Sequence, residues 1–176
     1  MADISSEHEA SALPTGAAGQ PDQLAPAARD RGPVEAPTAP PVRRRAPAPD
    51  TFAPDGSEIR LLVDEASGAT RASLCEVTLP AGQVSRPVWH RRVEEIWYVL
   101  EGSGEVWRCP PGADPRRVPP VPVQPGDALV IPAGWRFQFR AHAGGPLRLL
   151  CYTSPPWPGP DEAQPSDVAG LGRPTV

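Results

Sequence analysis

Lysine and asparagine are absent from this sequence; all 17 basic residues are arginine. Without a lysine amine there is no Schiff-base chemistry and no lysine general base. Cysteine is scarce as well: Cys75, Cys109 and Cys151 are odd in number, widely spaced and never in CxxC. Neither a disulfide framework nor a structural zinc site is indicated, and Cys75 and Cys151 read as small buried hydrophobes. The formal charge of -4 gives no reason to expect nucleic acid as a partner. No apolar run approaches the roughly 18 residues of a membrane span. The opening MADISSEHEASALP lacks the basic and then apolar regions of a secretory signal. These absences together predict a cytoplasmic protein with neither nucleic-acid nor membrane partners.

Proline and glycine, by contrast, make up about a quarter of the 176 residues. Residues 1–52 are rich in Ala, Pro, Asp, Glu and Gly without a sustained period, and predict a disordered N-terminal arm. Arg43, Arg44 and Arg45 in that arm read as solvated charges. From residue 58 the texture changes to short runs rich in Val, Ile, Leu, Trp, Tyr and Phe: 58–63, 71–79, 84–90, 94–100, 104–109, 116–123, 127–131, 135–140 and 146–153. Such runs, punctuated by Pro-Ala-Gly, Gly-Ser-Gly and Pro-Gly-Asp turns and free of amphipathic helices, predict an antiparallel sandwich or barrel over 53–160. The strap SPPWPGP should fold Trp157 back onto it, and 161–176 should form a flexible tail.

Gly82 is followed at matching distances by Val88, His90, Glu95 and Gly102, against the pattern G-x5-H-x-H-x4-E-x6-G. Gly126, Pro132 and Gly134 fit G-x5-P-x-G-x2-H-x3-N, with Phe137 and Ala141 in place of its histidine and asparagine. With EEIWYVLEGSGEVW between them, these segments resemble the two motifs of small single-domain cupins. The resemblance spans roughly 58–158 and implies an all-β, antiparallel jelly-roll barrel.

In family members with a metal, two histidines and a glutamate of the first motif and a histidine of the second hold the ion. Here Val88 and Phe137 replace two of the four, leaving His90 and Glu95. Two protein ligands seldom retain a transition metal. His142, five residues past Phe137, reads as a solvent-facing loop residue rather than a replacement ligand. Residues two apart on a strand share a face, so Arg86, Val88 and His90 point one way, although Arg86, before Pro87 near the strand start, reads more readily as exposed. If Glu95 points inward, as the resemblance implies, Trp97 lines the same pocket, with Phe137 and Phe139 facing in. One imidazole, one carboxyl and a guanidinium among apolar walls form a small-molecule site.

The first functional expectation is a metal-independent isomerase, epimerase, cyclase or lyase using His90 and Glu95 as acid and base. The second is a ligand-binding or sensing module without turnover. The third keeps a divalent metal (iron, manganese, nickel or zinc) on His90 and Glu95, with oxidative chemistry. A structural His–Glu pair is the bland alternative to all three. The resemblance further implies a homodimer.

Overall fold

Alternating short strands fold here into two facing antiparallel sheets. The computed structural model describes residues 38–176; the expected disordered arm lies, over 1–37, outside the described residues. The strands are β1 (Thr51–Phe52), β2 (Glu58–Val63), β3 (Ser73–Leu79), β4 (Val88–His90), β5 (Glu94–Glu101), β6 (Gly104–Cys109), β7 (Val121–Val123), β8 (Ala128–Ile131), β9 (Arg136–Ala141), β10 (Leu147–Ser154) and β11 (Ala163–Pro165). One sheet runs β1-β2-β3-β10-β5-β8 and the other β11-β4-β9-β6-β7. Each of the nine expected segments overlaps one of β2 to β10. No helix among the described residues is long and apolar enough to cross a membrane.

Period-two patterning sets the layers. In β5, Glu95, Trp97 and Val99 are buried while Glu94, Ile96 and Tyr98 are exposed. In β10, Leu147, Leu149, Cys151 and Thr153 are buried in alternation. From the facing sheet Val88, Val106, Phe137 and Phe139 complete a common core. Each fully buried side chain of this size contributes about 1.5–3 kcal/mol by leaving water.

The motif glycine Gly102 sits at φ 78°, and a Cβ there would overlap the Pro146 carbonyl. Only glycine tolerates that conformation without strain. The turn it forms lets β5 return as β6, which puts Trp97 and Val106 on facing walls.

Both ends of the described residues make contacts with the barrel. Residues 38–52 are tied down rather than loose: Arg45 grips Glu76 with Nε and Nη2 at 2.7–2.9 Å, Arg43 reaches Asp64 at 3.3 Å, and β1 pairs with β2. Two of the three arginines read as solvated, Arg43 and Arg45, therefore meet acidic residues of the barrel. At the other end, β11 pairs with β4 and the Leu171 N–H donates to Gln138 Oε1 at 2.7 Å. Gln138 Nε2 donates in turn to the carbonyls of Ser85 and Gly172, both at 3.0 Å. Gly170 lies so close on Trp107 that a Cβ would overlap the indole. Both segments attach largely through backbone groups and single polar or charged side chains, which need no hydrophobic period.

Candidate functional site

A cavity of about 360 Å³ opens between the sheets, at the small end of the ~300–1,000 Å³ usual for small-molecule sites. Its chemistry comes from two strands on opposite sheets. His90 ends β4, held by β11 through the Ala163 register on one side and by β9 on the other. Glu95 lies one residue into β5, opposite Ile131 on β8 and Thr153 on β10. The turn between them is fixed by Glu162, whose Oε1 accepts the N–H groups of Arg92 at 2.5 Å and Val93 at 2.7 Å. The Gly134 N–H donates to the His90 carbonyl at 2.8 Å. Glu162 is therefore a positioning residue for the pair. Nothing in its sequence surroundings, PDEAQP, marks it as one.

His90 Nδ1 stands 3.6 Å from Glu95 Oε1, just beyond hydrogen-bond reach, and has no hydrogen-bond partner. The imidazole makes edge contacts with Phe137 and Trp157, at centroid distances of 5.1 and 5.2 Å. Burial among these rings lowers its pKa to about 4, although the Glu162 carboxylate pulls the other way. Burial likewise raises Glu95 to about 7, and nearby Asp55 raises it further. The hydrogen bond from Trp97 Nε1 to Glu95 Oε2, 2.8 Å long, and a contact with Cys151 only partly offset this. An imidazole that resists protonation and a carboxyl that keeps its proton thus share one apolar chamber. Between pH about 4 and about 7 His90 is therefore neutral while Glu95 keeps its carboxyl proton.

The residues expected at the site divide cleanly. His90, Glu95, Val88, Trp97 and Phe137 line the cavity. Phe139 does not; it is fully buried behind Trp97, ring centroids 5.0 Å apart. Arg86 is exposed and outside the cavity, so no guanidinium enters from that position. It precedes β4, where the chain is not yet in the strand's alternation, and its backbone N–H donates to the Asp55 carbonyl at 2.7 Å. His142 is exposed, with Nδ1 3.2 Å from Ser103 Oγ.

Three features of the wall went unforeseen. Asp55 is buried on the loop before β2, its Oδ1 accepting the Ser57 N–H and Oγ–H at 2.8 and 2.7 Å. Burial raises its pKa, against the Ser57 bonds and the Arg86 charge. Pro-Asp-Gly-Ser does mark a turn, but not a turn facing inward. Cys75 and Cys151 are directly opposite each other on β3 and β10, both on the cavity wall. Contact with Cys75, then burial, pushes the Cys151 thiol up, which keeps it protonated. Ser73 and Thr153 bond to each other across the same strands, and the Trp157 N–H donates to Ser73 Oγ at 3.0 Å.

A metal, which the fold family implies, does not fit these residues. Among the described residues no group of three or more His, Cys, Asp or Glu side chains is placed to hold one. Val88 and Phe137, paired across β4 and β9, fill the remaining positions with carbon.

Residues 75–153 match the family model described as "Cupin domain". The chain belongs to the cupin superfamily. It is 32% identical over 104 residues, 58% of this chain and 77% of the relative, to the uncharacterized protein MJ1618 of Methanocaldococcus jannaschii. The fold is similar to that of the polyketide cyclase RemF from Streptomyces resistomycificus, with TM-score 0.53 and 24% identity over 77% of this chain and 87% of that one. It is also similar to oxalate decarboxylase from Bacillus subtilis, with TM-score 0.59 and 16% identity over 74% of this chain and 33% of that one.

Proposed function

We propose that this protein is a small-molecule cupin enzyme that moves protons without a metal, in an isomerase, epimerase, cyclase or lyase type of reaction. One observation carries the reading: His90 and Glu95, 3.6 Å apart in an aromatic-walled cavity, with the imidazole's pKa lowered and the carboxyl's raised. A general base must be unprotonated at working pH and a general acid protonated, and burial pushes the two groups in those directions. His90 takes a proton from the substrate and Glu95 returns one to a second atom. Transfer from the imidazolium to the carboxylate then resets the pair, with no net change in electrons. The fold likeness to RemF adds cyclisation to the reactions worth assaying and carries no substrate across.

The test is turnover by chelator-treated protein, compared with His90→Ala and Glu95→Gln. A ligand converted by wild type and spared by both variants supports the proposal. Conversion that is unchanged in His90→Ala overturns it. A ligand that binds but is never converted points instead to a binding or sensing module.

A further inference from the structure

The cavity has an electrostatic preference that the acid–base reading does not use. None of its lining residues among those described is an arginine, and the chain contains no lysine. Its one imidazole is held neutral by burial. A phosphate or carboxylate entering here would meet no cationic side chain on the wall, the Arg86 charge lying outside it and acting on Asp55, and an unpaired buried anion is strongly disfavoured.

Two carboxyl groups do line it: Asp55 from the loop before β2 and Glu95 from β5, each 7% exposed. Both Ser57 donors fall on Asp55 Oδ1, leaving Oδ2 outside those bonds. Trp97 donates to Glu95 Oε2, leaving Oε1 opposite the unpartnered His90 nitrogen. Around these oxygens stand the rings of Trp97, Phe137 and Trp157, supplied by three separate segments. Buried carboxyls and electron-rich ring faces favour an ammonium group, through charge-assisted hydrogen bonds and cation–π attraction.

We propose that the natural ligand is a compact organic cation, an amine or ammonium on a largely apolar body, seated against Glu95 and Asp55. This inference rests on the reading of the cavity as the reaction site. In the complex the ammonium carries the proton that Glu95 holds in the empty cavity, so the returned proton comes from the ammonium by way of the Glu95 carboxyl, and the neutral imidazole stays available beside the ligand's carbon skeleton.

Three probes of similar size and different charge test it on the full chain: 2-phenylethylamine, 2-phenylethanol and phenylacetate, followed by ligand-observed NMR and thermal shift. The amine should bind at least about tenfold tighter than the alcohol, and the carboxylate should not bind. Glu95→Gln and Asp55→Asn, both nearly isosteric, should each reduce the amine's advantage, with far-UV and near-UV circular dichroism confirming an intact fold. Equal binding of amine and alcohol, any preference for the carboxylate, or no amine binding at millimolar concentration overturns the proposal. So does an amine preference unchanged in both variants. The acid–base reading is judged separately, by the titration of His90 and Glu95 in the unliganded protein, so either idea can fail while the other stands.

Discussion

Glu76 and Glu95 belong to the same sheet, on β3 and β5 with only β10 between them, and both are buried, at 3% and 7% exposure. Their surroundings differ completely. Glu76 is on the outer face, where Arg45 grips it with two nitrogens and Arg148 Nε stands 3.4 Å away. The Arg45 hydrogen bonds hold its carboxyl below the usual range despite burial. Glu95 is on the inner face with one indole donor and no cation, and its carboxyl is pushed up to about 7. Satisfied polar groups stabilise a fold, whereas a carboxyl left under-satisfied in an apolar chamber is poised to give up a proton. The outer glutamate ties a segment to the barrel; the inner one is the acid of the proposed proton transfer.

The sharpest way to break that contrast is turnover. Glu95→Gln or His90→Ala should reduce kcat by about 10²–10⁴-fold on any converted substrate, while Glu76→Ala should leave kcat nearly unchanged in whatever fraction remains folded. Stability against pH comes next. The folded Glu95 keeps its proton up to about 7, whereas the unfolded chain releases it near 4.5. Its stabilising contribution is thus fully present below 4.5 and lost as pH rises through 7, a swing of about 3 kcal/mol. His90 works in the opposite direction. Its folded pKa of about 4 lies below the ordinary 6.5, so its contribution is present above 6.5 and falls as pH drops towards 4. Denaturant unfolding across this range should show Glu95→Gln removing the alkaline-side decline and His90→Ala the acid-side one.

Smaller still is the cost of Glu76→Ala, a modest fall in the denaturation midpoint, because the part-exposed Arg45 and Arg148 guanidiniums pass to water when their carboxylate is removed. Glu162→Ala should combine the two kinds of effect. It leaves the Arg92 and Val93 N–H groups unpaired, for about 1–3 kcal/mol, and loosens the turn that spaces His90 from Glu95. Its kcat should fall while KM changes little. The smallest expected effect is none: chelator dialysis should leave turnover unchanged, measured alongside metal content by mass spectrometry.

Much of the fold was legible because strand alternation is a local signal. EIRLLV is β2 residue for residue, and EEIWYVL differs from β5 only at its last position. The strands β1 and β11 were not legible, since two or three residues such as Thr-Phe or Ala-Gln-Pro have no period to read. At the site, Val88, His90, Glu95, Trp97 and Phe137 were reachable because motif spacing and strand parity both apply to them. Arg86 had two readings, in the pocket by parity and exposed by its place before Pro87; it is exposed, since parity does not extend past the strand's beginning. Asp55 and Glu162 come from loops, where the sequence states that the chain turns but not which way the side chain faces. The opposition of Cys75 and Cys151 depends on the β3–β10 register across 76 residues of sequence, a long-range fact that no local pattern contains.

The most direct test of the central claim is a carboxyl carbon NMR titration of the protein labelled at its glutamates, with Glu76 and Glu95 assigned by substitution. The account predicts a midpoint near 7 for Glu95 and one below the ordinary carboxylate value for Glu76 in the same spectra. A Glu95 midpoint at or below about 4.5 would mean that the cavity carboxyl is as well satisfied as its outer neighbour, and would contradict the acid–base reading of this site.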